Sequence, residues 1–153
     1  MHELQAIIAS REAAEDLRRC WPTHRASALS HGLSLIPLDA EFLQQLGAND
    51  FRVPDLEDPA VRSELVKHLE PVVVPLCRAS IRGRLGVVLT QYFGGAGSQA
   101  AVLIERSEIA LGPLVGAESI NRVLAALGVR SEGPARDEFE AVGLHRVRRH
   151  DQM

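Results

Sequence analysis

The residues in this chain with the clearest capacity for binding chemistry form one block, Gln91-Tyr92-Phe93-Gly94-Gly95-Ala96-Gly97-Ser98-Gln99. Its three glycines lie within four positions and let the backbone adopt positive φ or approach another group closely. Such a loop is either a tight connection between two strands or a ligand cradle, because free N–H groups at the start of a helix can hold a phosphate. Apolar runs on both sides of the block favour the strand connection.

A binding interpretation assigns contacts to six residues of this block. Aromatic side chains supply anchoring area at protein interfaces, and glycines let the backbone approach a partner. The alternative is structural: Phe93 belongs to the core, Tyr92 is a half-buried strand residue, and Gln99 bonds loop carbonyls. The candidate binding residues are Tyr92, Phe93, Gly94, Gly95, Gly97 and Gln99.

The titratable residues show neither a catalytic nor a metal-binding pattern. His24 and His31 are seven residues apart, and none of the six histidines pairs with another at the i, i+4 spacing of a helical metal motif. Cys77 lacks any signature that would pair it with a histidine, and a cysteine with apolar neighbours is ordinarily a core residue. We therefore predict no catalytic residue, no metal site and no cofactor, and we favour a protein that is not an enzyme.

Length and composition are typical of a globular domain. The chain has 153 residues, of which 46% are hydrophobic and 24% charged, and this excludes disordered and fibrous classes. Its net charge of −3 is too small to favour nucleic acid or a membrane surface as a partner. Two cysteines without CxxC spacing predict neither disulfides nor a zinc site. With no signal sequence and no apolar run of membrane-spanning length, we expect a cytoplasmic location.

The first part of the chain alternates between strand and helix patterns. Leu4–Ala9 is predicted to be a strand and Arg11–Trp21 a helix, and a single helix over Glu3–Arg19 is the alternative. Leu29–Leu38 is a dense apolar run that is typical of a buried strand. A short helix over Asp39–Leu46 follows, with its first residue as the cap.

Prolines divide the middle of the chain. Asn49–Pro59 is predicted to be a polar loop and the place for a flexible insertion. Asp58–Leu69 is predicted to be a helix with its first residue as the cap and a proline in its first turn. We expect Pro71 and Pro75 to bracket a β-rich link.

The remaining residues predict an antiparallel meander around the glycine block. Its strands are Leu85–Phe93, Gln99–Glu105 and Glu108–Leu111, the last two joined by Arg106-Ser107. Ser119 is expected to cap a helix over Ile120–Leu127, and residues 130–153 are expected to be partly loop or tail. The chain therefore predicts a single α+β domain over residues 1–153, with an antiparallel or mixed sheet and helices packed mainly on one face.

One resemblance concerns the glycine block alone. Gln91-Tyr92-Phe93-Gly94-Gly95-Ala96 is similar to the Q/R-x-x-G-x-G/A signature of GNAT-type acyl-CoA N-acyltransferases, whose loop binds the pyrophosphate of acetyl-CoA. This resemblance implies an acyl-CoA-dependent N-acyltransferase in which Gln91–Gly97 is the cofactor loop. It expects a helix directly after Gly97.

A second resemblance covers more of the chain. Four blocks resemble small bacterial proteins in which a YFGG-x-G-x-Q block lies between two strands. They are Gly32–Leu38, Tyr92–Ala101, Ile120-Asn121-Arg122 with Leu127-Gly128-Val129, and Asp137-Glu138-Phe139 with Val142-Gly143-Leu144. The resemblance implies a cytoplasmic protein and associates it with immunity proteins that neutralise toxins. We therefore predict a protein-binding module with another protein, specifically a toxin, as its partner, and with no nucleic acid or membrane partner. This prediction expects a strand after Gly97 and leaves the oligomeric state open.

Overall fold

A computed structural model describes residues 2–22, 26–93, 96–116 and 118–128, with the side chains of residues 2–4, 30 and 91–97 outside the description. The strands are β1 (His2–Ala9), β2 (Ser27–Ala28), β3 (Ser34–Pro37), β4 (Arg84–Phe93), β5 (Ala96–Glu105) and β6 (Glu108–Val115). The helices are α1 (Arg11–Cys20), α2 (Ala40–Leu46), α3 (Pro59–Ser63), α4 (Leu65–Ala79) and α5 (Ser119–Ala126), with a 3-10 turn at Ser30–Gly32. The strands form an open antiparallel sheet in the order β2-β3-β1-β4-β5-β6, which confirms the α+β class.

Two hydrophobic cores lie on opposite faces of this sheet. The larger core is formed by α1, α2 and α4 packed on one face, and the smaller core by α5 on the other. The central strand β4 contributes to both, with Leu85, Val87 and Leu89 in the larger core and Val88 in the smaller. Because both of its faces are covered, this strand has a continuous apolar run instead of an alternating one.

The N-terminal segment is a strand followed by a helix, as predicted, and not a single helix. Ile7 and Ala9 belong to the larger core while Ala6 and Ile8 belong to the smaller, so the strand is buried on both faces. Ser10 ends β1 and caps α1, because its Oγ accepts a hydrogen bond from the N–H of Ala13 at 3.3 Å. Local periodicity allowed both structures, and burial on two faces selects the strand.

The predicted strand over Leu29–Leu38 is shorter in the structure. The turn at Ser30–Gly32 contains two consecutive residues with positive φ, His31 at 63° and Gly32 at 72°. This conformation separates β2 from β3 and lets the two strands pair with each other. Pro37 is the last residue of β3, as expected of a proline in a sheet.

The prediction of a β-rich link bracketed by Pro71 and Pro75 is wrong, because both prolines lie inside α4. The helix buries one face made of Leu65, Leu69, Val72, Val73, Leu76 and Ala79. Pro71 is exposed and Pro75 half-buried, so both lie away from the centre of that buried face. The carbonyls of Lys67 and Pro71, which lose their helical N–H donors, can therefore be hydrated. Burial of six apolar side chains outweighs the two missing hydrogen bonds.

Two further helix boundaries differ from the prediction. The helix expected over Asp58–Leu69 is interrupted at Glu64, whose φ of −123° and ψ of 28° are not helical, so α3 and α4 are separate. Asp58 does cap α3 through the N–H of Ala60 at 2.9 Å. Ser119 is the first residue of α5 instead of its cap, since Glu118 occupies the cap position without a side-chain bond. The expected tail over 130–153 lies outside the described residues.

A buried carboxylate connects α1 to the turn before β4. Asp16 is 2% exposed and accepts hydrogen bonds from the N–H groups of Ile81 and Arg82 and from Arg82 Nε. We call this arrangement the Asp16 clasp. It holds the first helix of the chain against a turn more than 60 residues later.

Candidate functional site

The glycine block lies in a β-hairpin. β4 and β5 pair without interruption from Arg84 opposite Glu105 to Phe93 opposite Ala96. Tyr92 is paired with Gly97 in this register. Gly94 and Gly95 lie outside the described residues, and so do the side chains of Tyr92 and Phe93.

The chain after Gly97 is a strand. β5 continues through Glu105, and the next helix that the structure describes is α5, which begins at Ser119. The residues that follow Gly97 are therefore committed to sheet pairing with β4 and do not provide the free N–H groups of a helix start. The element after Gly97 is thus the strand that a hairpin connection requires and not the helix that the cofactor-loop resemblance expects.

Three strands end together at this edge of the molecule. His2 of β1 is paired with Tyr92 of β4, which is itself paired with Gly97 of β5. The predicted site residues of β4 and β5 are thus next to the start of β1. We define the hairpin end as His2, Tyr92, Phe93 and residues 94–97. It belongs to the neighbouring strands β1, β4 and β5 of the sheet and to the chain that joins the last two.

Gln99 is the predicted site residue whose surroundings the structure describes most fully. It is half-buried and is paired across the hairpin with Thr90, which is fully buried. Its carbonyl accepts a hydrogen bond from the N–H of Gly116 at 3.1 Å, just beyond the end of β6. The backbone of Gln99 therefore joins the hairpin to the chain that leads into α5.

Two residues that the sequence analysis did not select brace this site from one side. Ser98 is buried, and its Oγ donates a hydrogen bond to the carboxylate of Glu57. Glu57 comes from the loop between α2 and α3, which the sequence predicts to be a polar insertion. A serine in a strand and a glutamate in a loop carry no signal for this pairing, because 41 residues separate them.

That loop is anchored to the core. Phe51 is 7% exposed, and Ala48 and Leu56 are also buried in the larger core. The carbonyl of Leu56 accepts a hydrogen bond from Nε of Arg62, which closes the end of the loop onto α3. Large apolar residues inside a polar stretch were the available signal for this anchoring. The loop is therefore part of the packed structure beside the hairpin.

Replacing Ser98 with Ala tests the brace. The substitution removes the hydrogen bond to Glu57 but leaves an exposed carboxylate that water can solvate, since the Glu57 side chain is 70% exposed. We expect the free energy of unfolding to fall by about 1 kcal/mol in urea denaturation. Glu57→Gln retains an acceptor and should cost less. A loss above about 3 kcal/mol for Ser98→Ala would contradict this account.

A groove of about 470 Å³ opens along the first residues of the same loop, between the end of α2 and α4. Its lining runs from Gly47 to Arg52 and includes His68 and Pro71. The guanidinium of Arg52 donates to the carbonyl of Phe51 at 3.0 Å. The ionisable side chains of this lining are Asp50, Arg52 and His68, and the lining has no serine, threonine, cysteine or lysine.

The chemistry available elsewhere in the described ranges is limited. No group of three His, Cys, Asp or Glu side chains there could hold a metal ion. Cys20 is exposed and Cys77 half-buried, and both are free thiols. Burial raises the pKa of the Cys77 thiol, which keeps it protonated at neutral pH and is the opposite of the activation that a nucleophile needs.

None of the helices that the structure describes is both long and apolar enough to cross a bilayer. Comparison of the chain with models of protein families, with curated proteins and with solved structures finds no match. The two resemblances therefore stay predictions, and function has to be inferred from this chain's own geometry.

Proposed function

We propose that this chain is a non-enzymatic protein-binding module, that the hairpin end is its contact surface, and that it acts as an immunity protein which neutralises a toxin. The observation that carries the proposal is the unbroken pairing of β4 with β5 up to Phe93 opposite Ala96. It supports a contact role for Tyr92, Phe93, Gly97 and Gln99, because their backbones are paired at one end of the hairpin. The contact role of Gly94 and Gly95 rests on the sequence.

The scaffold below the hairpin end suits a rigid contact surface. Val87, Leu89 and Val102 are buried in the larger core, and Val88 is fully buried in the smaller. Ser98 adds a hydrogen bond to the neighbouring loop. A surface held in one conformation before binding loses less conformational entropy when it meets its partner. Binding residues on a loop above a packed sheet are common for this reason.

We propose that the protein acts in the cytoplasm. Two free cysteines, one of them exposed, are in keeping with a reducing compartment. A toxin that acts inside the cell would meet its neutralising partner there.

Protection from a neighbouring toxin tests the proposal directly. The probe is the protein encoded beside this chain's gene, expressed from an inducible promoter with and without the chain, and then purified for calorimetric titration. We expect growth to be restored and a complex to form. Tyr92→Ala should weaken binding by roughly 30-fold, as removal of an aromatic anchor does at interfaces. Ile109→Ala, an exposed residue of β6, is the matched control and should change binding less than about threefold.

Two results would overturn the proposal. One is the absence of protection and binding by every neighbouring gene product, and the other is a Tyr92→Ala variant that binds as the parent chain does. Thermal unfolding with acetyl-CoA examines the alternative, because a ligand that binds the folded state raises the midpoint. We expect no shift. A raised midpoint together with acyl transfer to an amine would establish the acyl-CoA-dependent N-acyltransferase instead.

A further inference from the structure

The outward side of α4 exposes apolar side chains as well as charged ones. Across the described residues, four large hydrophobic side chains are exposed, and three of them belong to α4 or to the turn directly after it. Val66 is 48% exposed, Val74 40% and Ile81 64%. Val66 and Val74 leave apolar area on this side of the helix that a contact with another molecule would remove from water.

A row of residues at i, i+4 spacing runs along this side of the helix. Val66, Glu70, Val74 and Arg78 are all exposed and occupy successive turns, so they share one face. We call these four residues the α4 outer row. The row lies opposite the buried residues of the same helix, such as Leu69 and Leu76.

The two charged residues of this row have opposite signs and lie at equal distances from Val74. Glu70 lies four residues before Val74 and Arg78 four residues after it, so they are about 12 Å apart along the helix and do not contact each other. Neither makes an ion pair with any residue that the structure describes. Lys67 of the same helix, by contrast, is paired with Glu64 at 3.7 Å.

We propose that the α4 outer row is a contact between two copies of this chain, with the two α4 helices antiparallel and a two-fold axis at Val74. Such an axis brings each residue n positions before Val74 opposite the residue n positions after it in the other copy. Glu70 then faces the partner's Arg78, and Arg78 faces the partner's Glu70. Val74 packs against the partner's Val74 at the centre.

Helix geometry permits this contact. Rows at i, i+4 spacing on two helices become parallel when the helices cross at about 50°, the commonest packing class in globular proteins. Val74 has a short side chain, which allows the two helices to approach closely at the axis. Glu70 and Arg78 are long enough to reach across the contact from either side of its apolar centre.

The charge pattern is what identifies a second copy as the occupant. Acidic and basic residues at equal distances from the centre are complementary to themselves under a two-fold rotation, and an unrelated partner would have no need of this symmetry. The helix is about 22 Å long, so the contact is small and the dimer should be weak and concentration-dependent. The inference does not depend on the proposed function, since no residue of the hairpin end takes part.

Cysteine cross-linking tests the position of the axis. In a Cys20→Ser, Cys77→Ala background, Val74→Cys should give a disulfide-linked dimer under mild oxidation, because the two introduced thiols meet at the axis. Val66→Cys is the matched control. Its exposure is similar, but it lies about 12 Å along the helix from the axis, so the two thiols would be about 24 Å apart and should not cross-link.

Charge reversal tests the pairing. Sedimentation equilibrium between about 1 µM and about 500 µM should show a monomer–dimer equilibrium for the parent chain. Glu70→Arg and Arg78→Glu should each weaken the dimer roughly tenfold or more, because like charges then face each other twice. The double variant should restore it to within about threefold. Circular dichroism confirms that each variant is folded.

Three results would overturn the inference. The first is a parent chain that stays monomeric throughout this range, which would leave the α4 outer row to a different protein. The second is cross-linking of Val66→Cys as readily as Val74→Cys. The third is a double charge reversal that dimerises no better than the single variants.

Discussion

Asp16→Asn is expected to lower the free energy of unfolding by about 3 kcal/mol. The Asp16 side chain is 2% exposed and accepts three hydrogen bonds, at 3.0 Å from the N–H of Ile81, 2.9 Å from the N–H of Arg82 and 2.9 Å from Arg82 Nε. Asparagine retains one acceptor oxygen and places an NH2 group where the second was. At least one of the three donors then loses its partner, and the two charges of the pair no longer attract. Urea denaturation at neutral pH measures the loss.

Glu15→Gln is the matched control for the Asp16 clasp. Glu15 also contacts Arg82, at 3.2 Å from Nη2, but its side chain is 47% exposed. Exposed ion pairs contribute little because water screens them and both side chains lose rotational freedom, so we expect a change below about 1 kcal/mol. Equal losses for Asp16→Asn and Glu15→Gln would contradict the importance of burial at the clasp.

The clasp also contributes to the way stability responds to acid. Burial alone raises the pKa of the Asp16 carboxyl, but hydrogen bonds from the backbone and side chain of Arg82 and the backbone of Ile81 outweigh it and hold the pKa below its ordinary value. The unfolded chain therefore binds this proton more readily than the folded chain. The stabilisation that ionised Asp16 provides is complete above its pKa in the unfolded chain, which is about 4. It is lost as the pH falls through the pKa of Asp16 in the folded chain.

The pH dependence of the free energy of unfolding gives a second test of the Asp16→Asn variant. Its free energy of unfolding should fall less steeply with decreasing pH below about pH 4 than that of the parent chain, since it has no carboxylate to protonate at this position. Denaturation midpoints measured from about pH 7 to about pH 3 give the two slopes. Identical slopes would show that Asp16 titrates alike in the folded and unfolded chains.

Gly83→Ala is expected to cost about 3 kcal/mol. A Cβ at Gly83 would lie 2.5 Å from the backbone nitrogen of Ala13 and 2.5 Å from Ser10 Oγ. These atoms belong to the first turn of α1 and its cap, so the helix start must move or the cap must break. Overpacking typically costs 1–3 kcal/mol, and loss of a cap adds about 1 kcal/mol. Thermal and urea unfolding of the variant measure the effect.

Gly47→Ala separates this close contact from the general cost of changing a glycine. Gly47 ends α2 with a φ of 78°, and nothing lies within 4 Å of a Cβ built there. The only penalty is the left-handed backbone conformation, which costs about 1–2 kcal/mol for a residue with a side chain. If Gly47→Ala proved as destabilising as Gly83→Ala, the contact with α1 would not be the cause.

Both stability predictions concern the opposite end of β4 from the proposed binding surface. Gly83 and Asp16 lie where β4 begins, and the hairpin end lies where it finishes, roughly 30 Å away at the spacing of an extended strand. Variants at the clasp should therefore lose stability yet bind a partner normally at temperatures where they remain folded. Tyr92→Ala should instead keep its stability and bind the partner more weakly. The two sets of variants therefore separate effects on folding from effects on binding.

Much of the local structure was predictable from neighbouring residues. Asp39 caps α2 through the N–H of Phe42 at 2.9 Å, and Gly47 ends that helix with positive φ. Arg106 and Ser107 join β5 to β6 as a two-residue turn with φ of 50° and 69°. The glycine block lies in a hairpin, as its apolar flanks indicate. Caps, turns and strand patterns depend on residues a few positions apart, so the sequence alone contains them.

Tertiary structure decided what depends on distant residues. The two prolines predict the end of a helix, but α4 continues through them because its other face is buried against the sheet. Asp16 and Arg82 are 66 residues apart, and neither has a local signal for the other. The same holds for Ser98 and Glu57, which brace the candidate site. Burial and long-range hydrogen bonds exist only once the sheet has brought these segments together, and a linear pattern does not contain that information.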